Sequence, residues 1–131
     1  MDLAIADFFT GPPHAVVGAS RDRNKYGNKV LRCYMHHGRP VYPVNPHAAA
    51  VEGLTAYPNI SALPEVVHGI SIITPPRIAA AVVAETAAVN ICHLWMQSGA
   101  ESRQAIDRAE ALGLSVIADG SCLLVVCGCR D

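Results

Sequence analysis

The chain has 131 residues, 51% of them hydrophobic, with 10 basic and 11 acidic side chains. That length suits a single domain with a core of its own, in need of no disulfide or metal to staple it. The balanced charge argues against a general nucleic-acid binder, which would carry a basic excess. No apolar run is long enough to span a membrane.

The N-terminal stretch Met1–Asp7 has neither the basic start of a signal peptide nor the Arg-rich character of a transit peptide, so a cytoplasmic protein is expected. Cys33 and Cys92 fall within apolar segments and read as small core residues. Cys122, Cys127 and Cys129 crowd the C-terminal end. An odd number of cysteines in that compartment argues against a disulfide framework.

His14–Gly18 reads as a first strand, ended by Gly18. Lys25–His37 follows with helical period, placing Val30, Leu31, Tyr34 and Met35 on one face, and Gly38 stops it. Pro40–Val44 is a second strand. Pro43, Pro46 and Pro58 then make the chain extended and turn-rich, with at most a helical turn near Ser61–Val66. Gly69–Thr74 is a third strand. Thr74 is a candidate N-cap before Pro75 and Pro76, which suit a first helical turn because their missing N–H would be unpaired there. The Ala-rich helix runs to about Val89, with Ile78, Val82 and Val89 down one side. Ile91–Met96 is a fourth strand. Ser98-Gly99-Ala100-Glu101 has capping-box spacing and predicts a helix with Ala105, Ile106, Ala109 and Leu112 inward, stopped by Gly113. Leu114–Asp119 is a fifth strand, and Leu123–Val126 reads as a last short one.

Strands that alternate with helices predict right-handed crossovers, and near-continuous apolar strands predict a sheet covered on both faces. The expected fold is a doubly wound, Rossmann-like α/β domain over residues 1–131, with a parallel sheet of about five strands and helices on both faces.

In such a sheet the ligand lies outside the carboxyl ends of the strands, where the strand order reverses. Four segments fall there: Gly18-Ala19-Ser20, Val44-Asn45-Pro46-His47, Thr74-Pro75-Pro76 and Gln97-Ser98-Gly99. Gly18 removes a side chain at the turn, Ser20 offers a hydroxyl, and the N–H groups of the following helix terminus point into the same space. Together they make an anion site. Arg21, Arg23 and Lys25 place three cations within five residues, which suits a ligand with several phosphates, and Tyr26 adjoins them. A solvated loop with ordinary surface charge is the alternative reading of those cations.

The dinucleotide fingerprint fails twice. Ser20 stands where the second glycine of G-x-G-x-x-G belongs, and the second strand ends in Asn45 with no acidic residue beside it. NAD is disfavoured. NADP stays open because basic residues are close by. A phosphate-binding Gly-Lys-Ser or Gly-Lys-Thr is absent.

With these residues in place, the chain resembles a known family. Gly18-Ala19-Ser20, Pro43-Val44-Asn45-Pro46, Thr74-Pro75-Pro76 and Trp95-Met96-Gln97-Ser98-Gly99-Ala100 look like the signatures of the small CoA-binding domain proteins, in order and spacing, from about Ala15 to Val126. Their fold is similar to the N-terminal domain of the succinyl-CoA synthetase α subunit. The resemblance implies coenzyme A or an acyl-CoA as ligand, with Gly18, Ala19 and Ser20 on the pyrophosphate and Val44, Asn45 and Pro46 beside adenine and ribose. Thr74, Pro75 and Pro76 would line the other wall, and Gln97, Ser98 and Gly99 would face the pantetheine. Two positions depart from the family pattern. His47 stands where a lysine is frequent, which shifts 3′-phosphate recognition toward Arg21 or Lys25. Asp119-Gly120-Ser121-Cys122 carries one residue more than the usual Asp-x-Cys.

Candidates for chemistry are few. His93 sits within a strand and reads as a packing residue, and Asp119 with Cys122 reads more simply as a turn cap beside a buried thiol than as a reactive pair. His36-His37 and Cys127-x-Cys129 lack a second pair at zinc spacing, and His36-His37 fits the cation-favouring end of a helix. The expectation is a binding module with no catalytic residue or metal of its own. An NADP-linked oxidoreductase and a CoA-dependent acyl-transfer component are the alternatives. Homodimerisation through Ala-rich helix faces or by pairing of Leu123–Val126 is a further expectation.

Overall fold

A computed structural model describes residues 3–97, 100–118 and 123–126. The elements are α1 (Leu3–Phe8), β1 (His14–Val17), α2 (Tyr26–His36), β2 (Val41–Val44), β3 (Ala50–Val51), β4 (Leu54–Thr55), a 3-10 turn (Ile60–Ala62), β5 (Gly69–Ile72), α3 (Pro76–Ala88), β6 (His93–Met96), α4 (Arg103–Ala111), β7 (Ser115–Ile117) and α5 (Leu123–Val126). Five strands form one parallel sheet in the order β2-β1-β5-β6-β7, and β3 with β4 forms a separate antiparallel hairpin. The chain moves outward from β1 to β2, then returns across β1 to β5, so strand order reverses between β1 and β5. The fold is the expected Rossmann-like α/β architecture.

Alternation along the strands feeds two cores. Ala15 and Val17 of β1, Ile70 and Ile72 of β5, and Leu94 and Met96 of β6 face α3 and α4, where Ala79, Val82, Val83, Ala105 and Ala109 meet them. Val16 and Trp95 face the opposite layer of Phe8, Val30, Leu31, Tyr34 and Leu123. Ser71 also points that way and is paired with Tyr34, whose hydroxyl lies 2.9 Å from the Ser71 oxygen. The buried hydroxyls therefore satisfy each other. On the sheet edge, Pro43 sits within β2, where Tyr57 N–H donates to the Pro43 carbonyl and Asn45 N–H to the Tyr57 carbonyl. The N–H that proline lacks faces that outer side, away from β1.

The sequence reading holds for the five sheet strands to within a few residues at their ends, and for the three long helices. It differs in five places. Leu123–Val126 is a helix, not a strand, because Leu123 is buried in the core beside α2; strand pairing of this run across an interface does not apply. The third of the long helices begins only at Arg103, capped by the Ser102 hydroxyl, which accepts from Ala105 N at 3.0 Å. Met35, Ile78 and Leu112 are exposed rather than inward. In α3 the inward row is Ala79, Val82, Val83 and Thr86, with Thr86 tolerated because its hydroxyl donates to the Val82 carbonyl at 2.7 Å. Cys92 is exposed and free, whereas buried Cys33 is disulfide-bonded to a partner outside the described residues. α5 packs against α2, the helix that carries Cys33, a proximity that cysteine counting does not reveal.

Neither α1 nor the β3–β4 hairpin was evident in the sequence. The last carbonyls of α1 and the turn after it are taken from the amino end of the sheet. His14 Nε2 donates to Phe8 O at 2.7 Å, His68 Nε2 to Asp7 O at 2.8 Å, and Arg39 to Phe9 O at 2.9 Å. Among the described residues no helix is long and apolar enough to cross a membrane.

Candidate functional site

The carboxyl ends of β1, β2, β5 and β6 converge as the sequence predicts, and the loop from Gly18 to Lys25 lies at the point of strand reversal. Gly18 has φ 94°, a left-handed conformation that side chains disfavour, and a Cβ there would overlap the Ile73 carbonyl just beyond β5. Gly27, in the first turn of α2, is equally constrained, since its Cβ would run into the Gly18 carbonyl. These two glycines let the end of β1, the end of β5 and the start of α2 meet backbone to backbone.

Side chains fix the loop carbonyls. Asn45 Nδ2 donates to Ala19 O at 2.9 Å, and Asn28 Nδ2 to Ser20 O at 2.9 Å. Arg32 donates to Arg23 O at 3.1 Å. Local turns complete the shape: Ser20 Oγ accepts from Asp22 N–H at 3.0 Å, and Asp22 Oδ1 accepts from Asn24 N–H at 2.9 Å. Ala19 is buried, Ser20 is half-buried, and Arg21, Arg23, Lys25 and Tyr26 are exposed. Arg23 pairs with Glu52 at 3.7 Å. Among the described residues neither Arg21 nor Lys25 has an ion-pair partner. Lys25 is the N-cap position of α2 and supplies no side-chain cap, and Lys29 Nζ lies 5.7 Å from the Tyr26 ring centroid.

The other three segments differ in how they present themselves. Val44 is buried, Asn45 is half-buried, and Pro46 and His47 are exposed. Asn45 has a second internal contact, its Oδ1 accepting from His47 N–H at 2.7 Å. Thr74 does not cap α3; Pro75 occupies the N-cap position, and no side chain caps that terminus. The Thr74 hydroxyl oxygen is instead buried without a hydrogen-bond partner among the described residues. A buried orphan of this kind costs about 1–3 kcal/mol, and here it sits at the carboxyl end of β5. Gln97 is only 3% exposed and its Oε1 accepts from Leu123 N–H at 3.2 Å, so its side chain anchors α5. Ser98 and Gly99 lie outside the described residues, as do Asp119, Cys122, Cys127 and Cys129.

The histidines divide between the two ends of the molecule. His47 is at the carboxyl end. His93 opens β6 and so lies at the amino end, stacked on His68 with ring centroids 4.4 Å apart. Burial, then the neighbouring His68, lowers its pKa. His14 is pushed down to about 4, chiefly by burial. His36 and His37 fall in the last turn and C-cap of α2, where the sequence placed them.

Three residues that matter to the loop went unremarked in the sequence: Gly27, Asn28 and Glu52. The apolar row Val30, Leu31 and Tyr34, extended back one turn, passes through Gly27 and Asn28, both buried. A glycine and an asparagine on the inward row of a helix are the readable signal. Glu52 carries none, because it arrives from a hairpin 24 residues further along.

Comparison with known proteins agrees with this geometry. The family model described as a CoA binding domain matches residues 13–127. The ADP-forming acetate–CoA ligase I of Archaeoglobus fulgidus is 29% identical over 113 residues, covering 79% of this chain and 16% of the ligase. A conserved hypothetical protein from Pyrococcus furiosus superposes with a TM-score of 0.84 at 34% identity, covering 88% of this chain and 99% of that one. The dinucleotide-forming acetyl-coenzyme A synthetase 1 of Ca. Korarchaeum cryptofilum, in complex with phosphate and ADP, gives a TM-score of 0.75 at 27% identity. It covers 91% of this chain and 27% of the synthetase. The chain thus spans a small part of the ligase and of the synthetase, and nearly the whole of the Pyrococcus protein. From the match over residues 13–127 and the loop that heads the sheet, the chain belongs to the CoA-binding domain family.

Proposed function

We propose that this chain binds coenzyme A, free or acylated, at the carboxyl ends of β1, β2, β5 and β6. It acts as a single module that presents the cofactor and catalyses no reaction itself. One observation carries the reading: the carbonyls of Ala19 and Ser20 are each taken by an asparagine amide. A loop with these carbonyls engaged inside the protein leaves the N–H groups that its own turns do not use to a pyrophosphate, next to a helix terminus that no side chain caps.

Gly18, Ala19 and Ser20 would hold the pyrophosphate, with Arg21 and Lys25 as mobile counter-charges and Tyr26 as an exposed ring beside them. Val44, Asn45, Pro46 and His47 would border the nucleoside. Thr74, Pro75 and Pro76 would form the facing wall, where the Thr74 hydroxyl, without a partner among the described residues, would gain a hydrogen bond to the ligand. Gln97, its Oε1 held by Leu123 N–H, would face the pantetheine side together with Ser98 and Gly99. The bound cofactor would bring the thiol that carries an acyl group, while the protein orients its phosphates. The acetate–CoA ligase match over 16% of that protein supports a module that works with other parts.

Isothermal titration of the reduced protein with CoA, 3′-dephospho-CoA, NAD and NADP tests this. CoA is expected to bind in the micromolar range, about −8 kcal/mol, with NAD silent. Asn45 stands where a dinucleotide site places its ribose-binding carboxylate, and its amide is already engaged. NADP binding with CoA silent would replace the reading by a reductase, which the cations Arg21, Arg23 and Lys25 would then serve.

A further inference from the structure

We propose that Asn28 is the positioning residue of the phosphate loop, holding the Ser20 carbonyl off the ligand side, and that Glu52 is its anchor. Only the identity of the ligand rests on the CoA-binding reading. Asn28 is fully buried in the first turns of α2. Its Nδ2 donates to Ser20 O at 2.9 Å and to Glu52 Oε2 at 3.0 Å, and its Oδ1 accepts from Arg32 Nε at 2.6 Å. Both amide hydrogens and the oxygen are thereby engaged. Turning the amide over would set Oδ1 against a carbonyl and a carboxylate, so chemistry allows one orientation.

The anchor shows a strain that points the same way. Glu52 and Gly53 form the two-residue turn between β3 and β4, with φ 50° and 81°. Such a turn favours asparagine or aspartate ahead of glycine. Glu52 keeps its left-handed backbone while its carboxylate reaches Asn28 and, at 3.7 Å, Arg23. Strained backbone persists where surrounding contacts over-determine it, and it concentrates at functional sites. Glu52 is long enough to make this bridge from the turn. Arg32 closes the circuit by donating to Asn28 Oδ1 and to the Arg23 carbonyl. The hairpin is thus a brace for the loop, acting through Asn28.

The decisive variant separates fold from positioning. Asn28→Asp keeps the volume and the Arg32 contact but turns two donors into acceptors. Adding Glu52→Gln supplies a donor to the new carboxylate and removes the repulsion between the two carboxylates, yet leaves the Ser20 carbonyl facing an acceptor instead of its donor. The double variant is expected to bind CoA at least about tenfold more weakly than the wild type, with its urea melt showing that it folds. In the ligand-free double variant, amides 19–24 should exchange about tenfold faster, with those of α3 and α4 unchanged. A folded double variant that binds CoA within about twofold of the wild type overturns the proposal. If the double variant does not fold, Asn28→Ala is put to the same two measurements under the same criteria. If the wild type itself takes no CoA, the binding reading fails and loop exchange alone decides: acceleration upholds the positioning role, and a wild-type rate ends it.

Discussion

The Ile73 carbonyl stands where a Cβ on Gly18 would be, and Ile73 N–H donates to the Val17 carbonyl at 2.8 Å. Strands β1 and β5 are therefore locked together at the point where strand order reverses. Gly18→Ala should destabilise the protein by about 1–3 kcal/mol through overpacking, with backbone strain in addition, and CoA binding should be lost. Gly27→Ala should act similarly, by pushing α2 off the Gly18 carbonyl. Urea denaturation and calorimetric titration of the two variants check both effects.

A second prediction concerns the buried hydroxyl pair. Tyr34→Phe leaves the Ser71 hydroxyl without its 2.9 Å partner in a dry interior. The loss should be about 1–2 kcal/mol, and Tyr34→Phe with Ser71→Ala should lose less than the two single changes summed. A strictly additive pair in urea melts would contradict this.

Acid should weaken the fold through His14. Its pKa falls from 6.5 when unfolded to about 4 when folded, mainly because burial disfavours the charged ring, with Arg39, His68 and His93 adding repulsion. The folded state therefore binds the proton less readily than the unfolded chain. The associated stability is intact above pH 6.5 and is lost as pH drops toward 4, by about 3 kcal/mol in all. His93, also lowered, tilts the same way. Unfolding free energies measured between pH 7 and pH 4 should show this slope, and His14→Gln should flatten most of it.

The cations of the loop should separate by role. Arg21 and Lys25 are exposed, whereas Arg23 already faces Glu52. Arg21→Ala should weaken CoA by about fivefold at low salt, and less as ionic strength screens the charge. Ser20→Ala combined with Arg21→Ala should weaken it further. Arg23→Ala should change stability by less than about 1 kcal/mol, as expected of an exposed pair. Titrations at two salt concentrations distinguish these.

The cap of α4 offers a simple check on local structure. Ser102→Ala removes the acceptor for Ala105 N–H and should cost about 1 kcal/mol. The same change at Ser98 carries no such expectation, since the helix starts at Arg103.

The sheet was legible because each of its strands is a short apolar run bounded by glycine or proline. The four segments at its carboxyl edge were legible because the fold class dictates where a ligand lies. What the sequence concealed has physical reasons. Two-residue strands such as Ala50–Val51 and Leu54–Thr55 are too short to show a period. Leu123–Val126 is a short apolar run ending in two β-branched valines, and tertiary packing of Leu123 overrides that propensity. In α3, Ala79 and a self-satisfied Thr86 face inward beside Val82 and Val83, so the apolar Ile78 misled the choice of face, whereas Val89 packs against the core as read. At the site, the sequence located Gly18 and Asn45. The bond from the Asn45 amide to the Ala19 carbonyl was not readable there, since it joins residues 26 apart in the chain. Asn28 and Glu52 act on the loop from afar, and only the tertiary structure brings them together.

Pro43 and Tyr57 have a consequence for solubility. An open parallel sheet ends in strands whose outer N–H and C=O groups would template a foreign strand. On the β2 side that row is interrupted by Pro43, which has no hydrogen to give, and Tyr57 takes the Pro43 carbonyl and the Asn45 N–H. Edge-to-edge addition of a foreign strand is thereby disfavoured from Pro43 to Asn45, where a paired edge would otherwise continue.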